Sequence, residues 1–169
     1  TAVATVLQGL SKLTNRLALA AALAEGLKRS HATFSDVASR DVLQKLVSQA
    51  AQISGDSQQS LQSRKEAVAF LANGDSIKPL SALLQSQPPA ELQIVAVRGL
   101  AQFHREDVPA ALLPLWPKLQ PKARGEVISA LAARPKWTAS LLDALVQGRI
   151  DKTSFTAQHI QALANHSDA

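Results

Sequence analysis

The fold is decided by the stretch PAELQIVAVRGLAQF, residues 89–103. Its apolar residues recur with the period of an α-helix and form one stripe, which consists of Leu92, Val95, Ala96, Leu100 and Phe103. The preceding Gln87-Pro88-Pro89 ends one helix and pre-sets the first turn of the next, because proline lacks an amide hydrogen and has a fixed φ. The stretch therefore predicts an amphipathic helix that begins after Pro89.

The same spacing extends to both sides of this stretch. Val42, Leu43, Leu46, Val47, Ala50 and Ile53 form a second stripe, and Ala123, Val127, Ala130 and Leu131 form a third. β-Branched residues never alternate with polar ones over a useful length, and aromatic residues make up only 4% of the chain. The sequence predicts about nine or ten helices of roughly 10 to 18 residues, joined by loops of about two to seven. Plausible N-caps are Ser35, Asp56 or Ser57, and Thr153.

A Leu-Ala pair recurs about every 30 residues, at 71–72, 100–101, 131–132 and 163–164. Each pair ends an amphipathic stretch, and a second apolar segment follows the first three, at 77–84, 108–115 and 137–146. Since one helical hairpin cannot bury its apolar face alone, this order predicts hairpins that stack on one another. An irregular helical bundle of similar composition is the alternative.

Residues 89–101 resemble the second helix of a HEAT repeat, in which a Val-Arg pair is followed by Ala or Gly and then Leu. The prolines that bend the first helix of such repeats have counterparts in Pro79, Pro109 and Pro114. The resemblance implies one all-α domain over residues 1–169, an α-solenoid of about five stacked antiparallel helical hairpins. The arginine ladder of the family is matched only by Arg98, and its other positions hold Ala69, Ser129 and Gln161.

A narrower resemblance covers residues 23–27, 141–150, 155–157 and 161–168. These stretches are similar to the HEAT-type region of large multidomain proteins from planctomycetes and their relatives. In those proteins the region lies between a membrane-bound, dehydrogenase-like β-propeller and a c-type cytochrome domain. The resemblance implies a spacer within a redox protein and an exported or periplasmic location. The present chain has neither the propeller nor a Cys-x-x-Cys-His haem motif, so neither activity is assigned to it.

The composition excludes several kinds of site. The 169 residues contain no cysteine, which excludes disulfides, thiolate metal ligands and a cysteine nucleophile within this sequence. The longest strictly apolar run is Leu17 to Ala24, whereas a membrane-spanning helix needs about 20 such residues. The chain begins at Thr1 and contains no methionine, so we expect a fragment of a longer protein.

No pattern of catalytic or ligand-binding residues appears. The four histidines, His31, His104, His159 and His166, lack the spacing of metal ligands. Glycine-rich phosphate loops and the Gly-x-Ser-x-Gly turn of serine hydrolases are also missing. The sequence predicts a protein that is not an enzyme and that holds no cofactor or metal.

The formal net charge is +5, and the densest basic stretch lies between residues 118 and 136. It consists of Lys118, Lys122, Arg124, Arg134 and Lys136 against Glu126 alone, and it is followed by Trp137. The structural interpretation is that the basic residues lie on a solvated face and that Trp137 packs between repeats. The functional interpretation is a binding patch on which the cations contact phosphates and Trp137 stacks on bases.

Two functions follow from these observations. The first is a non-catalytic helical-repeat scaffold that binds a protein partner or holds adjacent domains of its own chain together. The alternative is a basic HEAT-like nucleic-acid-binding domain similar to the HEAT-like DNA glycosylases. The only loose candidate for the acid of those enzymes is Asp143, near Trp137, and no role is carried over onto it.

Overall fold

The computed structural model describes residues 16–29, 39–74 and 76–164. These three ranges are helical throughout apart from short connections, and they contain no strand. None of their helices is both long enough and apolar enough to cross a bilayer. The predicted all-α class is therefore confirmed. The predicted N-cap Ser35 and two of the histidines, His31 and His166, lie outside the described residues.

The α-helices are numbered in chain order. They are α1 Arg16–Arg29, α2 Arg40–Gly55, α3 Leu61–Ala72, α4 Lys78–Gln85, α5 Ala90–Ala101, α6 Val108–Leu112, α7 Pro121–Ala132, α8 Pro135–Val146 and α9 Ala157–Ala164. A 3₁₀ helix, Leu113–Lys118, directly continues α6, and a second one, Lys152–Ser154, precedes α9.

The first three Leu-Ala pairs end α3, α5 and α7, as predicted. The fourth pair is the last described part of α9. Two helices are shorter than the predicted range, since α6 has 5 residues and α4 has 8. Proline accounts for α6: Pro114 and Pro117 cannot donate the backbone hydrogen bonds of an α-helix, so the chain tightens into a 3₁₀ helix there.

Two predicted N-caps are wrong. Ser60 caps α3, where its hydroxyl accepts a hydrogen bond from the Ser63 amide at 3.1 Å. Thr156 precedes α9, and its hydroxyl accepts from the His159 amide at 3.3 Å. Asp56 instead follows α2, and its carboxylate accepts the Gln58 amide, which lowers the pKa of Asp56 below its ordinary value. Each loop contains several Ser, Thr and Asp residues that could cap the next helix. The path of the loop determines which of them does so.

The helices pack in two series. In the first series α3 contacts α5, α5 contacts α7, and α7 contacts α9. In the second, α2 contacts α4, α4 contacts the 3₁₀ helix after α6, and α6 contacts α8. The two series also pack on each other, through α2 with α3, α4 with α5, and α7 with α8, while α1 lies against α3.

Leu, Val and Ala side chains between the two series form one continuous core. Leu80, Leu92, Leu112 and Leu131 are completely buried in it. The approach of α3 to α5 is especially close at Gly99, where an added Cβ would lie 2.9 Å from the Cβ of Ala72. A glycine is therefore needed at this crossing, because any larger residue would force the two helices apart.

Candidate functional site

The predicted basic patch is split between the two ends of α7. Lys118 and Lys122 lie at its amino-terminal end, whereas Arg134 and Lys136 follow its carboxyl-terminal end. The 12 residues of α7 separate these ends by about 18 Å. The six predicted residues therefore do not form one compact cluster.

At the amino-terminal end of α7, Arg124 points back to the end of the preceding 3₁₀ helix. Its Nε donates to the carbonyl oxygen of Trp116 at 3.2 Å, and its guanidinium lies 5.5 Å from the centre of the Trp116 ring. Lys118 and Lys122 are exposed, and within the described part of the chain no side-chain partner bonds to either ammonium group. Only these two cations of the amino-terminal end are available to a ligand.

At the carboxyl-terminal end, Arg134 is occupied by the fold. One guanidinium nitrogen donates to the carbonyl oxygen of Ala101 at 2.6 Å and lies 3.3 Å from Nε2 of His104. The same guanidinium lies 4.3 Å from the centre of the Trp137 ring. Trp137 is only 3% exposed, so its ring packs in the core and is not open to a stacking base.

Lys136 forms an ion pair with Glu106, with 3.0 Å between Nζ and Oε1. Both side chains are largely exposed, so the pair adds little stability. It does, however, neutralise one more cation of the predicted patch.

A polar contact joins each helix of the first series to the next. Lys65 of α3 pairs with Glu91 of α5 at 2.5 Å. Arg98 of α5 donates two hydrogen bonds to Glu126 of α7, at 2.9 and 2.6 Å. These bonds, together with the carboxylate charge, raise the pKa of Arg98.

The third such contact joins α7 to α9 through Ser129 and His159. The amide of Thr156 donates to Nδ1 of His159 at 3.2 Å, so the proton of the neutral ring lies on Nε2. Nε2 then donates to the Ser129 hydroxyl at 3.0 Å. We call the three contacts, Lys65–Glu91, Arg98–Glu126 and Ser129–His159, the polar bridges.

A further set of long polar side chains satisfies the carbonyl groups at helix ends. Arg64 donates to the carbonyl oxygen of Ser54 at 3.0 Å, just as Arg124 donates to that of Trp116. Gln93, which is buried, donates to the carbonyl oxygen of Pro88 at 3.0 Å and accepts from the amide of Gln120 at 2.8 Å. These contacts provide polar partners for backbone groups at helix ends and in the turns between helices.

Sequence reasoning missed this second set, although a signal was present. Arg64, Gln93 and Arg124 each lie two helical turns before the Leu of a Leu-Ala pair. A polar residue at a fixed place in an apolar repeat indicates a repeated structural contact. Of the polar bridges, only Arg98 was marked in advance, through the arginine ladder of HEAT repeats.

The other sequence candidates do not converge on a reaction centre. His104 lies in an exposed loop with a φ of 50°, and Asp143 lies on the exposed face of α8. Within the described ranges, no three His, Asp or Glu side chains come together as metal ligands. A shallow groove of about 350 Å³ lies between α2 and α4, and one of about 370 Å³ lies between α4 and α6. Both have mainly apolar walls.

In the described part of the chain, the polar bridges join neighbouring helices, and the candidate residues do not meet in a pocket. Comparison of the chain with protein-family models, with curated proteins and with solved structures finds no match.

Proposed function

We propose that this chain is a HEAT-like α-solenoid that acts as a non-catalytic scaffold, and that it binds a protein partner or holds adjacent domains together. The observation that supports the proposal most directly is the order of packing. Helix α3 contacts α5, α5 contacts α7 and α7 contacts α9, and a polar bridge accompanies each of these three steps. A stack of this kind presents a long surface whose shape is set by the small rotation from one repeat to the next.

The repeated side chains Arg64, Gln93 and Arg124 also support the proposal. Their hydrogen bonds tie the start of each second helix to the end or turn of a first helix. Such ties add a hydrogen bond to the apolar packing of each hairpin. A framework of hairpins held in this way suits a protein that positions other proteins or domains.

A truncation tests the stacked arrangement. Because repeats in a solenoid contact mainly their neighbours, removal of residues 147–169 should leave a shorter but cooperatively folded protein. We expect circular dichroism to lose only the helical signal of the removed segment, and urea unfolding to remain a single transition at a lower midpoint. A truncated chain that is unfolded would instead indicate one closed core and would remove the solenoid proposal.

The proposed role as a spacer in a redox protein has its own test. This role requires a propeller-type dehydrogenase segment before the sequence and a Cys-x-x-Cys-His segment after it in the parent gene. A parent gene that encodes neither would leave the scaffold proposal in place and remove the redox context.

Of the predicted basic patch, Lys118 and Lys122 are the residues left to support the nucleic-acid alternative. Arg124 and Arg134 are bound to backbone carbonyl groups, and Lys136 is paired with Glu106. The scaffold is therefore the function that the geometry supports better.

A further inference from the structure

A shallow groove runs between α4 and the segment formed by α6 and its 3₁₀ continuation. Its walls are mainly apolar, and we call it the α4–α6 groove. The helices on both of its sides are described, and each has a further described neighbour, since α2 contacts α4 and α8 contacts α6. The groove is therefore a product of packing within the described helices and not of where they end.

The α4–α6 groove exposes apolar surface that no described part of the chain covers. Ile77 is half-buried in its lining, whereas Ala82 and Pro114 are exposed there. Ser81 and Ala111 also line it, and their small side chains leave room between the two walls. A shallow cleft of this kind suits the apolar side chains of a helix that lies along it better than an enclosed small molecule.

The helices on and next to the groove carry mostly positive charge. Together α2, α4, α6 and its 3₁₀ continuation hold four cations, Arg40, Lys45, Lys78 and Lys118, against one acid, Asp41. The four cations are exposed, and within the described ranges no side chain bonds to any of them. Lys78 lines the groove itself, and none of the described lining residues is acidic.

Two of these cations lie at the same end of α4. Lys78 is the first residue of α4, and Arg40 is the first residue of α2. Arg40 shares the groove between α2 and α4 with Pro79, so the starts of the two helices lie side by side. The two acids that precede α6, Glu106 and Asp107, are each in an ion pair with a cation and so do not offset this charge.

The first series uses its cations within the fold. The polar bridges neutralise Lys65 and Arg98, and Arg64 and Arg124 donate to backbone carbonyl groups. In α3, α5 and α7, Lys122 is the single cation without a bonded partner in the described ranges. Unpaired charge beside an apolar groove is therefore found on the second series.

We propose that the α4–α6 groove binds an acidic amphipathic helix of a partner protein. The apolar stripe of that helix enters the groove, and its carboxylates face the cations at the start of α4. The inference rests on the scaffold function proposed above, and it names the docking surface and the kind of partner. Complementary charge steers the partner and sets its direction in the groove. A nucleic acid could use the cations through its phosphates but has no apolar stripe, so the groove favours a protein segment.

Selection of helical peptides from a display library against the 169-residue chain tests the proposal. We expect the selected peptides to combine acidic residues with apolar residues at helical spacing. Their affinity should fall as salt is added, because screening weakens the attraction between exposed charges. A library that yields no binder overturns the proposal, and so does one that yields only basic or uncharged binders.

Ala82→Glu locates the site. It places a carboxylate in the groove, where it would repel the acids of the peptide and meet its apolar stripe, so the affinity should fall at least about tenfold. The matched control is Ala69→Glu, which adds the same charge at an exposed alanine within α3 and outside the groove. It should leave the affinity nearly unchanged. Circular dichroism checks that both variants keep their helices.

Lys78→Glu tests the role of the charge. Its control is Lys122→Glu, the same reversal at an exposed and unpaired cation outside the groove. The reversal at Lys78 should weaken binding and flatten its salt dependence more than the reversal at Lys122. Equal losses would mean that net charge alone attracts the peptides, and they would overturn the proposal.

Failure of this inference can be told apart from failure of the proposed function. Loss of binding in Ala69→Glu but not in Ala82→Glu would overturn the α4–α6 groove as the site and leave a scaffold that binds its partner through the first series. A chain that binds no peptide but passes the truncation test keeps the stacked arrangement and loses only this docking site.

Discussion

Arg134 joins three parts of the chain through one guanidinium group. Arg134 is the N-cap residue of α8. Its guanidinium donates to the carbonyl oxygen of Ala101, the last residue of α5, and lies over the ring of Trp137. A carbonyl group at a helix end has no partner within the helix, so this donor replaces water there. The basic charge of Arg134 thus serves the fold, which a count of charges along the sequence does not reveal.

We expect Arg134→Ala to lower the free energy of unfolding by about 1–3 kcal/mol, through the lost hydrogen bond and the lost cation–π contact. Urea unfolding measures this effect. The matched control is Lys136→Ala, which removes an exposed ion pair and should cost less than about 1 kcal/mol. Equal effects of the two substitutions would show that the Arg134 contacts add nothing to stability.

Gly99 and Gly125 provide a second test at the scale of single residues. Both lie within helices, but the space around them differs. A Cβ on Gly99 would meet Ala72 at 2.9 Å and Leu80 at 3.2 Å, whereas a Cβ on Gly125 would meet only Cε1 of His159, at 3.8 Å.

Gly99→Ala should therefore destabilise the protein by about 1–3 kcal/mol through overpacking of α3 on α5. Gly125→Ala should stabilise it by up to about 1 kcal/mol, because alanine favours the helix and fits the available space. Thermal or urea unfolding of the two variants shows whether each substitution stabilises or destabilises the protein. A gain for Gly99→Ala would contradict the close approach of the two helices.

At the scale of helices, the sequence predicted which segments are helical better than it predicted how long each helix is and which residue caps it. Apolar spacing placed α5 and the ends of α3 and α7 correctly. It did not foresee that α6 would continue as a 3₁₀ helix or that Ser60 would cap α3. Periodicity is a property of one segment, whereas a cap depends on how the loop before the helix is held by its neighbours.

The docking of α9 depends on His159, which occupies the place of the core residues Ala67, Ala96 and Val127 in the earlier helices. His159→Ala removes the hydrogen bonds to Ser129 and Thr156. We expect the amides of α9 to exchange with solvent at least about tenfold faster, while those of α5 keep their rates.

His104→Ala is the control for this substitution, because His104 is exposed and lies outside α9. It should leave the exchange of α9 unchanged. Equal protection of α9 in the wild type and in His159→Ala would mean that apolar packing alone holds the helix.

At the scale of the whole molecule, the distribution of charge decides between the two functions. Of the predicted basic patch, only Lys118 and Lys122 are exposed and without a bonded partner in the described ranges. Each phosphate contact contributes about −0.9 to the slope of log affinity against log salt concentration for duplex DNA. We therefore expect DNA binding through this patch to be weak, with a slope no steeper than about −2.

A salt titration with a fluorescent duplex measures this slope, and Lys118→Gln with Lys122→Gln is the matched variant. The double variant should remove the contribution of this patch, which reduces the steepness of the slope by about 2. A slope near −5 in the wild type would require about six phosphate contacts and would favour the nucleic-acid alternative.

The all-helical class and the recurrence of helix ends could be predicted from the amino-acid sequence, because both depend on the spacing of apolar residues along the chain. Which basic side chains are bonded within the fold, and that Trp137 is buried, could be learned only from the tertiary structure. The contacts that bind Lys65, Arg98, Arg134 and His159 join residues 26 to 33 positions apart, about one repeat away. Which side chain meets which across that distance depends on how the helices are set against each other, and no local pattern in the chain encodes it.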